Sequence, residues 1–336
     1  MKKILLIATG GTIASVQTAD GLMPGLDGKG LIEHVPELRN ICHIDTMELM
    51  KLDSTNIQPE HWVQMARALE ANYDKYDGFV ISHGTDTMAF TSSALYYMLE
   101  NLAKPVIITG SQLSLTEEGS DAPANLITAF TAAAKGRPGV YLAFYGRLIQ
   151  GNTVKKLHTE QFYAFKSINV PEVAVLNHGE LEFNPEYDQY LAQNPRHSSG
   201  SRLIIRDKLD TRVAVVDLIP GYKNEYITAL VDAGCRGIVL NLYGAGGIPG
   251  TESPGNLLPA IDYAIAKGVK LLGATQCIND GVNMDRYEVG ITALKHGVVS
   301  GGMLTSEAMV VKLMLELGEQ PLSSNAPADR RTNHCK

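Results

Sequence analysis

Three short stretches carry residues able to do chemistry together: Thr9-Gly-Gly-Thr12, His83-Gly-Thr-Asp-Thr87 and Asn152-Thr-Val-Lys-Lys156. A threonine hydroxyl is a weak nucleophile at neutral pH unless a neighbouring base takes its proton. Asp86 sets a carboxylate in the same turn as the Thr85 hydroxyl, and His83 offers an imidazole. A histidine in such a turn can equally hydrogen-bond the backbone. Thr85, Asp86 and Thr87 also suit the first turn of a helix, and capping does not exclude catalysis. Lys155 or Lys156, if buried beside Asp86, would lose solvation; that favours the neutral amine, which can accept a proton. The glycines of the first motif suit a tight turn or the cradling of a phosphate. The G-x-G-x-x-G spacing of a dinucleotide site and the Gly-Lys-Ser/Thr ending of a P-loop are absent.

The elements that must position these residues show in the hydrophobic pattern. "KILLIATGGT", "DGFVISHGTDT" and "KPVIITGSQLS" are apolar runs, each ending in a small polar turn. Helical stretches lie between them. Trp62, Ala66, Leu69 and Tyr73 share a face behind Pro59, and Ala94, Leu95, Met98, Leu99 and Leu102 form a second stripe. This βαβ rhythm predicts a parallel sheet covered on both faces. Such sheets bind ligands beyond the carboxyl ends of their strands, so Thr12, Thr85, Asp86 and Ser111 should meet in one crevice. "GVYLAFYGRL" reads as another strand and "LIQGNTVKKLHTEQF" as an excursion after it. From about Pro185 to Asp210 the chain turns polar and irregular, which reads as a linker. "RVAVVDLIPG", "CRGIVLNLYGAGG" and "GVKLLGATQC" then resume the strand pattern, and "SEAMVVKLMLELG" predicts a late helix. The expected organisation is a larger N-terminal α/β domain (1–189) with a mostly parallel, flavodoxin-like sheet, a linker (190–212) and a smaller C-terminal α/β domain (213–336).

Bulk properties narrow the function class. At 336 residues, 45% hydrophobic and 19% charged, the chain is long enough for two cores, and it has no apolar run of membrane-spanning length. The net charge of −7 comes without a basic patch beyond the terminal "DRRTNHCK", so no nucleic-acid partner and no membrane are expected. Cys42, Cys235, Cys277 and Cys335 are scattered without metal spacing; neither a metal nor another cofactor is expected. The opening apolar run is shorter than a signal peptide's, so a cytoplasmic protein is expected.

The motifs "ATGGTIAS", "DGFVISHGTDTMAFTSSALYYMLENLAKPVIITGSQ" and "GNTVKKLHT", with "GIVLNLYGAGG", "TQC" and "VNMDRYEVG" behind them, resemble the bacterial L-asparaginases of the cytoplasmic type I. The resemblance spans nearly the whole chain. It implies hydrolysis of L-asparagine, with Thr12 as primary nucleophile on a closing N-terminal loop, and Thr85, Asp86 and Lys156 as a relay. Lys156 is implied rather than Lys155 because it lies five residues after Gly151. Ser54 and Thr55 match positions that hold the substrate's charged ends, Asp86 also binds the amine, and the Ser111 carbonyl receives the side-chain amide. Gly11, Asp53 and Gly84 are implied as further substrate-binding positions. Backbone N–H groups of Thr12 and Thr85 would stabilise the oxyanion, and a homodimer or homotetramer is implied.

Three positions depart from the family pattern. Leu22 and Met23 stand where many relatives carry a lid tyrosine. Gly247 replaces an asparagine supplied by a neighbouring subunit. Asn241 occupies the region of an arginine used for allosteric asparagine binding, although Cys277 is retained, so weak or absent allostery is expected. A dehydrogenase would need the missing glycine fingerprint, and a non-catalytic binding protein would leave the threonine, aspartate and lysine set without a role. The related subunit of archaeal tRNA-dependent amidotransferase has a further domain ahead of its threonine motif; with Thr9 so early here, a stand-alone hydrolase is expected.

Overall fold

The computed structural model describes residues 1–18, 21–195 and 202–320, and side chains are not described at 17, 18 and 21–24. Cys335 and the basic terminal stretch lie outside the described residues, as do the side chains of Leu22 and Met23.

The larger domain is built on an eight-stranded sheet. Its parallel part comprises β1 (Lys3–Gly10), β2 (His43–Leu52), β3 (Gly78–Ser82), β4 (Pro105–Thr109) and β5 (Gly139–Phe144). These lie in the order β5-β4-β3-β1-β2. Read from β2 this is 2-1-3-4-5, the flavodoxin-like order, whose switch point falls between β1 and β3. The far edge is completed by antiparallel β6 (Arg147–Gln150), β7 (Ala174–Asn177) and β8 (Glu180–Phe183). "GVYLAFYGRL" is thus two strands, reversed at Tyr145 and Gly146, which both take positive φ (51° and 70°). That is the backbone a two-residue hairpin needs.

The central strands read as unbroken apolar runs because both faces are covered. Leu5, Ile7, Phe79, Ile81 and Ile108 enter one core with the helices α1 (Pro59–Asn72) and α2 (Met88–Met98). Their neighbours Ile4, Leu6, Val80 and Ile107 enter a second core against α3 (Ala122–Lys135).

The polar segment from Pro185 is a correction to the sequence reading. Residues Pro185–Gln193 form a helix, α4, with Pro185 in its first turn and the Asn184 side chain accepting from the Glu186 N–H at 3.0 Å. Tyr187 is 2% exposed, and Tyr190 and Leu191 pack with it on the second core. The apolar positions are few and aromatic, so the periodicity was masked by acidic and amide neighbours. Residues 196–201 of the expected linker lie outside the described residues.

The smaller domain has a four-stranded parallel sheet: β9 (Val213–Asp217), β10 (Gly237–Leu242), β11 (Lys270–Thr275) and β12 (Val299–Ser300), in that order. The last described helix, α5 (Ser306–Gly318), joins the domains. Its Val311 and Leu315 are buried in the first core of the larger domain, while Val310, Leu313 and Leu317 pack with Val239. Each such aliphatic side chain contributes about 1.5–3 kcal/mol of burial, enough to seat the smaller domain firmly.

Candidate functional site

The carboxyl ends of β2, β1, β3 and β4 lie side by side, with Ala8 opposite Ser82, Ser82 opposite Thr109 and Gly10 opposite Leu52. The turns after β1, β2, β3 and β4, which carry Thr12, Ser54, Thr85 and Ser111, leave the sheet at this edge. At the switch point the turns after β1 and β3 meet backbone to backbone. A β-carbon on Gly11 would sit 2.3 Å from the Gly84 nitrogen, and one on Gly84 would sit 2.7 Å from the Ser54 Oγ. Only hydrogen fits at either position, and Gly11 also takes φ 83°.

Lys156 lies on a short hairpin, Val154–Lys156 paired with Phe165–Ser167, that reaches this edge. Its Nζ donates to Thr85 Oγ1 at 2.8 Å and to Asp86 Oδ1 at 2.7 Å. Lys155 points away and pairs with Glu307 at 2.8 Å. Adjacent strand residues face opposite sides, which is why only one lysine of the pair reaches the turn. The Lys156 side chain is 17% exposed and that of Asp86 56%, so the cluster opens to solvent on its carboxylate side.

Ser54 is buried and its Oγ accepts from the Asp86 N–H at 3.2 Å, while its carbonyl accepts from Thr87 Oγ1 at 2.7 Å. Asp53 turns inward on its own segment, accepting from the Thr55 N–H at 2.8 Å and the Thr55 hydroxyl at 2.6 Å. Thr55 is exposed. Thr12 opens a single 3-10 turn, Thr12–Ala14, and is half-buried. Among the described residues its hydroxyl has no hydrogen-bond partner, and neither do the backbone N–H groups of Thr12 and Thr85.

His83 is fully buried and does not reach the Thr85 hydroxyl. Its Nδ1 lies 2.7 Å from the Gly84 carbonyl, which can only accept, so Nδ1 carries the proton. Nε2, 2.9 Å away, accepts from the Thr91 hydroxyl, whose oxygen accepts from the Trp62 indole at 3.1 Å. Burial pulls the imidazole down to about 4, so it stays neutral. Of the two sequence alternatives for His83, the structure shows backbone bonding.

Ser111 is buried, with its hydroxyl on the Leu113 carbonyl. What holds this turn escaped the sequence reading. The Asp121 carboxylate accepts from the N–H of Gln112 at 3.0 Å and of Leu113 at 3.1 Å. Asn125 donates to Asp121 and to the Gly110 carbonyl, both at 2.9 Å. An aspartate followed four residues later by asparagine at a helix start was the available signal.

Two of the departing positions are occupied with local tasks. Asn241 donates to Asp217 and accepts from the Ser306 hydroxyl at 2.9 Å, and Gly247 closes a turn onto the Tyr243 carbonyl at 2.9 Å. Among the described residues no group of three His, Cys, Asp or Glu side chains is placed to hold a metal ion, and no helix is long and apolar enough to cross a membrane.

Comparison with known proteins adds an independent line. The family model for the asparaginase N-terminal domain matches residues 3–189, and that for the glutaminase/asparaginase C-terminal domain matches residues 212–325. The L-asparaginase of Thermococcus kodakarensis is 42% identical over 317 residues, covering 94% of this chain and 93% of that protein. A glutamyl-tRNA(Gln) amidotransferase subunit of Pyrococcus abyssi is 34% identical over 329 residues, covering 95% of this chain and 72% of that protein. The solved structure of the thermostable L-asparaginase from Thermococcus kodakarensis aligns with a TM-score of 0.87 at 41% identity, over 95% of this chain and 93% of that one.

Proposed function

The chain belongs to the asparaginase family, and from that membership we propose that it is an L-asparaginase, converting L-asparagine and water to L-aspartate and ammonia. The observation that carries the reading is the Lys156 amine held at 2.8 Å from the Thr85 hydroxyl and 2.7 Å from the Asp86 carboxylate, at the carboxyl edge of the sheet.

In the proposed reaction the substrate's α-carboxylate and α-ammonium groups are held at Ser54 and Thr55, with Asp86 also pairing with the ammonium and Asp53 and Gly84 lining the same end. The carboxamide then lies between Thr12 and Thr85, with its nitrogen toward the Ser111 carbonyl. Fixing both charged ends spends binding on orientation. The Thr12 oxygen attacks the amide carbon, its proton passes to the departing nitrogen, and ammonia leaves. Water then attacks the resulting β-aspartyl ester and restores the Thr12 hydroxyl. Thr85 and Lys156, joined by a hydrogen bond, move protons to and from the reacting groups. The N–H groups of Thr12 and Thr85, without partners among the described residues, support a role in holding the oxyanion, with Gly11 and Gly84 letting the two turns approach closely. No cofactor enters this scheme. Cytoplasmic residence and a homodimeric or homotetrameric state belong to the same reading.

The test is ammonia release from L-asparagine, L-glutamine and D-asparagine by the protein and by a Thr85→Ala variant. Release from L-asparagine that falls by about 10²–10⁴-fold in the variant is expected if Thr85 takes part in proton transfer. Equal release by both proteins removes Thr85 from the mechanism, and no release from any amide removes the function.

A further inference from the structure

We propose that Lys155 and Glu307 form a positioning pair through which the smaller domain fixes Lys156, so that the active-site amine is held from behind by a residue more than 150 positions away. This rests on the reading above that Lys156 serves the reaction.

The hairpin that carries Lys156 has only three residues in each strand, and a two-stranded ribbon of that size has little stability of its own. Its position must come from what its two faces touch. On the face toward the larger domain, Val154 and Phe165 are buried in the first core, and Lys156 reaches Thr85 and Asp86. On the other face the described polar contacts reach the smaller domain. Lys155 donates to Glu307 Oε1 at 2.8 Å, and just beyond the hairpin Asn169 donates to the Met303 carbonyl at 3.0 Å and accepts from the Asp280 N–H at 2.8 Å.

Glu307 is committed to this contact. Its side chain is 12% exposed, and its second oxygen is buried with no partner among the described residues, so Lys155 supplies the only described hydrogen bond to the carboxylate. It also lies in the first turn of α5, where the helix dipole favours a negative charge and where Thr305 caps the chain by accepting from Ala308 at 3.2 Å. The carboxylate therefore sits on a rigid element that is itself anchored in the core of the larger domain by Val311 and Leu315. Because Lys155 and Lys156 are neighbours on a strand, fixing one side chain fixes the peptide between them and thereby the direction of the other. A displacement of about 1 Å in a catalytic group can cost about 100-fold in rate, so this support should be visible in turnover.

The experiment measures kcat and KM for L-asparagine in Lys155→Met, Glu307→Gln, Lys155→Arg and the swapped double variant Lys155→Glu/Glu307→Lys, with thermal unfolding of each. It adds the side-chain NMR signal of Lys156, assigned through Lys156→Arg. The pair predicts that both single charge removals lower kcat by roughly tenfold or more, within the range a misplaced group allows, while KM moves less than about twofold. The Lys156 signal should shift, and Lys155→Arg and the double swap should recover most of the rate. Unchanged kcat in both charge-removal variants overturns the proposal. So does a loss that tracks lowered unfolding temperature with the Lys156 signal unmoved, because that is a purely structural role. If the unaltered protein releases no ammonia, the functional reading fails, and the Lys156 signal in Glu307→Gln alone decides the positioning claim.

Discussion

Both domains place polar side chains at the carboxyl edge of a parallel sheet, yet they use that edge differently. In the larger domain, Lys156 donates to both Thr85 and the exposed Asp86 carboxylate, and the N–H groups of Thr12 and Thr85 are without described partners. In the smaller domain the side chains that end the middle strands bond mostly within the domain, although the Tyr243 hydroxyl beside them has no partner among the described residues. Asn241 is shared between Asp217 and Ser306, Gln276 donates to the carbonyls of Leu218 at 2.6 Å and Asn241 at 3.0 Å, and the Thr275 hydroxyl caps the Gly244 carbonyl. Sheet topology supplies a place for chemistry; hydrogen bonds left open to a ligand supply the chemistry.

The contrast is broken most severely by Lys156→Met. It should lower kcat for asparagine by about 10³-fold, within the usual range for losing a proton-transferring group, with the thermal unfolding transition retained. Loss of the cooperative transition together with activity would show that the open edge is structural after all.

A second test separates the buried support of the open edge from the edge itself. The unfolded chain binds a proton at His83 near the ordinary imidazole value of about 6.5, whereas the folded chain does so only near 4. Between those values the unfolded state binds more protons, so this contribution is complete above pH 6.5 and is lost as pH falls toward 4. Its size is roughly 3 kcal/mol. Denaturant unfolding at a series of pH values should show a steeper acid decline for the unaltered protein than for His83→Gln; identical slopes would contradict the neutral, buried imidazole.

The smallest effect sharpens the other half of the comparison. Gln276→Ala removes two hydrogen bonds at the smaller domain's edge and should cost about 1 kcal/mol of stability. Its kcat and KM for asparagine should stay within about twofold, a shift of that order being below one kcal/mol. A larger kinetic change would mean that the smaller domain's edge also takes part in turnover.

The legible portion of this molecule was what repeats with a period or ends in a turn. Unbroken apolar runs marked β1, β3 and β4 because strands covered on both faces cannot alternate, and the glycine-bearing turns after them carried the threonines. The choice between Lys155 and Lys156 was open to residue chemistry, because either amine could have faced Asp86. Register against the Phe165–Ser167 strand decided it, and a one-residue slip would have exchanged them. Asp121 and Asn125 were not found because their partners are mainly backbone groups, which leave no mark in side-chain types. The helix α4 was missed because its buried face is made of tyrosines and one leucine among amides and acids.

The contact between Gly11 and Gly84 has a further consequence, one of timing. β1 is synthesised first but lies between β2 and β3, whose residues follow about 40 and 75 positions later, and its turn is completed by Ser54 and Gly84. Closing such long loops before their contacts form makes parallel sheets slow to fold. This edge thus has no local nucleus: the first strand waits for the third, and the lysine that joins Thr85 and Asp86 arrives after both.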